Sequence, residues 1–256
     1  MDDFDAFMHA FRKRLGLDLT FYKRPQLERR IRSFQIRHHY PNLNALAEAV
    51  TQDAKLRQAF LDKITINVSE FFRNPERWRA LWPWIERLQV APVRVWSSAC
   101  ATGEEPYTLA ILFEQHGVSY RILATDIDES ALAAAQDGVY RLHQLRSLPD
   151  SERNRYFVPQ PGGSWRIQPR LQRHIGFLQH DLFSDALPPG APFHLIVCRN
   201  VLIYFTEEGK DRVITKLADA LAPGGILFVG STEQFLQSHR YGLVNVAPFL
   251  YQKSSR

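Results

Sequence analysis

The chain has 256 residues, 32 Lys and Arg against 27 Asp and Glu, and a net charge of +5. Its 45% hydrophobic and 23% charged residues are ordinary for a folded globular protein, and no apolar run approaches the length of a membrane span. The start, Met1-Asp2-Asp3-Phe4-Asp5, is acidic where a signal peptide would be basic, so a cytoplasmic protein is expected, with no direct membrane insertion.

Residues 1–75 read as helical. Phe4, Phe7, Met8, Phe11 and Leu15 mark one buried helix face; Leu43, Leu46, Ala47 and Val50 mark another after Pro41-Asn42, and Leu56, Phe60 and Ile64 a further one. Between them Leu27, Ile31 and Phe34 form a narrower stripe in a basic stretch, Lys23 to His39, where the only acid is Glu28. At 100° per residue Arg29 and Arg32 lie opposite that stripe, while Arg30 and Arg37 flank it. On charge alone such a face is either solvated or a patch for an acidic partner or nucleic acid. Residues 76–91 read as a linker helix.

From residue 92 the texture changes. Val93–Trp96, Tyr120–Asp126, Ile175–Leu178, Phe193–Cys198 and Ile226–Gly230 are apolar enough for buried parallel strands, with helical stretches at Glu104–Gln115 and Glu129–Gln136. Such alternation predicts a doubly wound α/β domain over 92–256. Leu243–Val246 and Phe249–Gln252 follow each other too closely for a helical crossover, which predicts an antiparallel pair at the sheet edge. Residues 140–173, rich in Arg, Gln and Pro with Gly162-Gly163 at a turn, predict a small β-hairpin insertion. The two cysteines, Cys100 and Cys198, end strand-like runs; a reduced pair is expected, and their spacing is not that of a metal site.

Candidate ligand contacts lie at the strand ends. The first strand enters Ser97-Ser98-Ala99-Cys100-Ala101-Thr102-Gly103-Glu104-Glu105-Pro106, which has no G-x-G-x-x-G loop for a pyrophosphate. Glu104 and Glu105 either meet a cationic ligand group or complement the helix dipole. Asp126, 23 residues after Gly103, either accepts from ribose hydroxyls or caps the next helix, a task open to Asp128 and Ser130 too. Asp181-Leu182 would suit an adenine, although a turn-forming Asp is the commoner use. Arg199-Asn200 opens onto the same crevice. A nucleoside and an amino acid without a diphosphate point to S-adenosylmethionine.

Four motifs in order along the chain, Thr65–Arg73, Ala101–Tyr107, Ala124–Asp128 and Cys198–Phe205, resemble the CheR-type chemotaxis receptor methyltransferases. The resemblance implies a small N-terminal helical domain before a Rossmann-like class I methyltransferase domain. It implies S-adenosylmethionine as cofactor, S-adenosylhomocysteine as product, and methyl esters on receptor glutamates. Asn67, Ser69, Arg73, Glu105, Asp126, Asp181, Leu182, Arg199 and Asn200 would then line the cofactor pocket, with two catalytic residues: Tyr204 beside the transferring methyl and Arg73 orienting the cofactor carboxylate or the incoming Glu. Ser69 replaces a frequent Thr and Asp181 a frequent Asn, the second removing an amide donor. Arg29, Arg30, Arg32 and Arg37 would dock a monomeric enzyme on the cytoplasmic helices of receptors in membrane arrays. The short 157–171 stretch resembles members that need no receptor tether. The competing readings are an RNA or DNA methyltransferase, against which Arg199-Asn200-Val201-Leu202 lacks the Asn/Asp-Pro-Pro-aromatic loop, and a non-catalytic cofactor-sensing module.

Overall fold

The computed structural model describes residues 2–255. Helix α1 (Asp3–Leu15) starts at an Asp2 cap, whose carboxylate accepts from Asp5 N at 2.8 Å, and stops at Gly16 in the left-handed region. It packs with α2 (Arg24–Arg37), α3 (Leu43–Gln52) and α4 (Ala54–Ile64) around their own core, with the predicted apolar faces turned inward. Phe60 sits at its centre, its ring 5.3–5.9 Å from those of Phe7, Phe11 and Phe34.

A second, larger core begins at Phe71. The helix read as a linker, α5 (Pro75–Glu86), buries Trp78, Leu81 and Ile85 in that core. Then come β1 (Val93–Ser98), α6 (Glu104–Gln115), β2 (Tyr120–Asp126) and α7 (Glu129–Asp137). An inserted lobe follows: β3 (Val139–Arg141), α8 (Asp150–Tyr156), β4 (Phe157–Gln160), β5 (Ser164–Ile167) and α9 (Pro169–Gln172). The main sheet resumes with β6 (Ile175–Gln179), β7 (Phe193–Cys198), α10 (Glu207–Ala220) and β8 (Leu221–Val229), and ends in β9 (Leu243–Ala247) and β10 (Leu250–Lys253).

The sheet order is β6-β2-β1-β7-β8-β10-β9, parallel except that β10 runs antiparallel to both its neighbours. This is a doubly wound, Rossmann-like architecture, with the expected antiparallel strands at one edge. The chain moves outward from β1 to β2 and β6, then returns to β7 on the other side of β1. The loops after β1 and β7 therefore part, opening a crevice at the strand C-termini.

The insertion is more than the expected hairpin. β4 and β5 do pair around Pro161–Gly163, but β3 joins on the other side of β5 to make a three-stranded antiparallel sheet. A lone hairpin is marginal in water. Here Tyr140 of β3 and Phe157 of β4 are buried against Phe71, at ring distances of 4.9 and 5.4 Å, which anchors the lobe to the segment joining the two cores. Cys100 and Cys198 are buried and unbridged. Among the described residues no helix is long and apolar enough to cross a membrane.

Candidate functional site

One cavity lies over the C-terminal ends of β1, β2, β6 and β7, roofed by α2 and the 64–73 segment. All ten predicted pocket residues line it: Asn67, Ser69, Arg73, Glu105, Asp126, Asp181, Leu182, Arg199, Asn200 and Tyr204.

The loop after β1 approaches the cavity through backbone that side chains rarely adopt, with Ala99, Ala101 and Gly103 all at positive φ. A Cβ at Gly103 would come within 2.8 Å of the Ala135 Cβ, so the close approach of this loop to α7 requires glycine. Ala101 N donates to Asp126 Oδ2 at 2.8 Å, and Asp128 N to Asp126 Oδ1 at 3.0 Å. Burial pushes the Asp126 carboxyl up, and these two backbone donors pull it back toward the ionised form. Asp126 does not cap α7; Asp128 does, accepting from Ala131 N at 3.1 Å. Asp126 is thus left with lone pairs for a ligand.

The two neighbouring glutamates separate in role. Glu104 is buried away from the cavity, accepting from Thr102 Oγ1 at 2.7 Å and Gln144 Nε2 at 3.2 Å. Glu105 faces the cavity, accepts from Ser97 Oγ at 2.8 Å, and stands 3.7 Å from Arg199 Nη1. Burial pushes its carboxyl up to about 7, because Arg199 and Ser97 compensate only part of the desolvation.

Arg199 is held by other work as well. Its guanidinium packs 4.9 Å from the ring centroids of Trp78 and Phe228, and Nη2 donates to Arg73 O at 2.9 Å and Asn74 Oδ1 at 3.2 Å. It pins the 73–74 turn to the end of β7, leaving Nε buried and unpartnered. Arg73 itself lies at the cavity wall, where its Nη1 reaches Val68 O at 3.4 Å. Asn200 adopts a positive φ of 61°, stabilised by Glu233, whose role the sequence does not show. Glu233 is buried, and its carboxylate accepts from Asn200 N at 2.6 Å, Leu202 N at 2.7 Å and Gly230 N at 2.8 Å. In the sequence the Ser231-Thr232-Glu233 run just past the apolar strand β8 fits the family resemblance too, but it assigns Glu233 no role.

Asp181 forms the turn its residue type favours, accepting from Phe183 N at 2.8 Å. Burial raises its carboxyl above the usual range. Lys216 of α10 clamps this turn through Asp181 O, Ser184 O and Ser184 Oγ at 2.8–3.1 Å, and Leu182 is buried beside it. Tyr204 is partly buried at the cavity wall; its carbonyl accepts from Lys23 N at 2.8 Å, and Thr206 N donates to Phe21 O at 2.7 Å. These bonds strap the start of α2 onto the site.

The four arginines expected to dock on a receptor, Arg29, Arg30, Arg32 and Arg37, do not form one free face. Arg32 pairs with Asp3 at 2.9 Å and Glu28 at 2.7 Å, and the neighbouring Arg24 pairs with Asp2, Asp5 and Glu28. Arg30 turns inward, donating to Lys63 O at 3.2 Å and Thr65 O at 3.1 Å, and lines the cavity. Arg29 and Arg37 are exposed, without an ion-pair partner among the described residues. The acidic N-terminus, read only as an argument against export, neutralises part of the basic helix.

Comparison with known proteins matches residues 2–65 to the CheR methyltransferase all-alpha domain and residues 67–247 to the CheR methyltransferase SAM binding domain. A chemotaxis protein methyltransferase of Listeria innocua is 42% identical to the chain, covering 98% of it and 97% of that protein. Proteins of the same description from Klebsiella aerogenes and Escherichia coli are 35% and 32% identical, each covering 89% of this chain and 81% and 82% of their own lengths.

Proposed function

The chain belongs to the CheR methyltransferase family, and we propose that it transfers the methyl group of S-adenosylmethionine to glutamate side chains of chemotaxis receptors, forming methyl esters for sensory adaptation. The observation that carries this reading is the convergence on one cavity of a buried, under-compensated carboxylate (Glu105), a strand-end carboxylate with free lone pairs (Asp126) and an apolar wall (Leu182). An ammonium beside Glu105, ribose hydroxyls on Asp126 and an adenine against Leu182 satisfy all three. S-Adenosylmethionine fits that donor and acceptor set and supplies an activated methyl on a sulfonium.

A glutamate carboxylate has a pKa near about 4.3 and is ionised at neutral pH, so the chain need supply no general base. Bound in the cavity, the sulfonium would supply its methyl to a carboxylate oxygen with the thioether as leaving group, and the chain's residues would have no proton to move. Opposite charges annihilate along this path, so a strong cation clamped on the substrate carboxylate would stabilise the ground state more than the transition state. Rate must come from alignment and exclusion of water. In this reading Arg73 and Tyr204, at the wall between α2, the 64–73 segment and β7, orient the reacting groups. Substitution by Ala and Phe, respectively, lowers turnover more than folding stability.

Asp126→Ala removes the ribose acceptor and leaves Ala101 N and Asp128 N without their partner. Calorimetry with S-adenosylhomocysteine is expected to show affinity lower by about 1.5–3 kcal/mol; an unchanged dissociation constant removes Asp126 from the site.

For the receptor we propose tether-independent docking through α2, with Arg29 and Arg37 as the free charges, Arg30 beside the cavity and Arg32 held within its ion pairs. Charge reversal at Arg29 and Arg37 is expected to reduce receptor methylation and leave cofactor affinity unchanged. Added salt should have the same effect as the Debye length shrinks from about 10 Å to about 3 Å. Equal methylation of full-length receptor and receptor lacking its C-terminal tail is expected; strong tail dependence with no effect of the reversals overturns this docking mode.

A further inference from the structure

Asp128 is completely buried, and no cationic side chain pairs with it among the described residues. Its lone pairs are instead filled by neutral donors. Oδ1 accepts from Ala131 N and from Gln58 Nε2 of α4, each at 3.1 Å. Oδ2 accepts from Asn67 Nδ2 at 2.7 Å and from Thr65 Oγ1 at 2.9 Å. Thr65 has one hydroxyl proton, for which Leu61 O competes at 2.8 Å, so Asn67 is the firm partner of Oδ2. Capping α7 takes a single oxygen, which Ser, Thr or Asn would supply without burying a charge. The second oxygen serves the segment that roofs the cavity.

This has a directional consequence. With Nδ2 of Asn67 held by Asp128, its Oδ1 is the end left over; it accepts nothing from the described residues, and Asn67 lines the cavity. The backbone of Asp128 also donates to Asp126 Oδ1 at 3.0 Å. One residue therefore sets two acceptors at the same cavity.

We propose that Asp128 is a positioning residue for the cofactor: it locks the Asn67 amide so that its carbonyl oxygen faces the cavity as an acceptor for a nucleoside N–H or O–H. Through Gln58 it ties that acceptor to the seat of the helical layer. The inference rests on S-adenosylmethionine as the occupant of the cavity.

The test is a donor–acceptor swap in the full chain, read by calorimetry with S-adenosylhomocysteine and by thermal unfolding. Asp128→Asn can keep its cap oxygen but sets an NH2 against that of Asn67. Asn67 then flips, and affinity falls at least about tenfold. In the double variant Asn67→Asp/Asp128→Asn donor and acceptor exchange places, an oxygen faces the cavity again, and affinity returns to within about threefold of wild type. A purely structural role would lower the unfolding temperature without such rescue. Wild-type affinity in Asp128→Asn, or no recovery in the double variant, overturns the proposal. If Asp128→Asn does not fold, Asn67→Leu reads the same acceptor: a loss of at least about tenfold supports the proposal and unchanged affinity overturns it. Failure of the wild-type chain to bind overturns the cofactor reading and this proposal with it. Binding by wild type without swap rescue overturns this proposal alone.

Discussion

Glu233→Ala is expected to abolish methyl transfer and to lower the unfolding free energy by about 3 kcal/mol or more. The carboxylate is buried and receives three backbone N–H groups, those of Asn200, Leu202 and Gly230. Each donor left unpaired in the interior costs about 1–3 kcal/mol, and the loop would relax to recover part of it. That relaxation carries the functional penalty, because Asn200 needs its positive φ and Tyr204 follows within one turn. Gly230→Ala should give the same phenotype, since a Cβ there would collide with the Glu233 carboxylate. Denaturant unfolding and receptor methylation check both variants; wild-type turnover in Glu233→Ala would show that the loop after β7 keeps its shape without the carboxylate.

The second expected result is proton release on cofactor binding. Burial holds the Glu105 carboxyl at about 7 in the ligand-free fold, against 4.5 for an unburied glutamate. The folded chain therefore binds this proton more tightly than the unfolded chain. The corresponding stability is fully present below about pH 4.5 and is lost as pH rises through about 7, a difference of up to about 3 kcal/mol. A ligand ammonium beside Glu105 favours the carboxylate, so binding near pH 6.5 must expel the proton, and affinity rises with pH through the same window. Calorimetry in two buffers of different ionisation enthalpy measures this directly: the heats should differ for wild type and coincide for Glu105→Gln. Coincident heats for wild type would mean that no cation meets Glu105.

Much of the fold was legible because buried parallel strands are continuous apolar runs, as at Phe193–Cys198, and because α1 and α3 repeat their apolar residues at helical spacing. That strand-end residues such as Glu105, Asp126 and Asn200 would line one cavity was legible for a related reason: an α/β sheet opens a crevice at its strand C-termini. Residues that act at long range were not. Asp128 was legible as a helix cap, but the donors it collects from Gln58, Thr65 and Asn67, and those Glu233 collects from Asn200 and Leu202, come from distant segments that neither type nor spacing betrays. β3 has three residues, too few to show an alternation. The pairing of Arg24 and Arg32 with Asp2, Asp3 and Asp5 depends on how α1 lies against α2, which composition does not encode.

Methyl transfer to a glutamate leaves a product with a chemical signature. The purified chain, incubated with methyl-labelled S-adenosylmethionine and membranes carrying chemotaxis receptors, should place label on the receptor as a methyl ester. Mild base would release that label as methanol, and peptide mapping would locate it on glutamate. Base-stable label, label on nucleic acid, or cofactor binding with no transfer to receptor would contradict it.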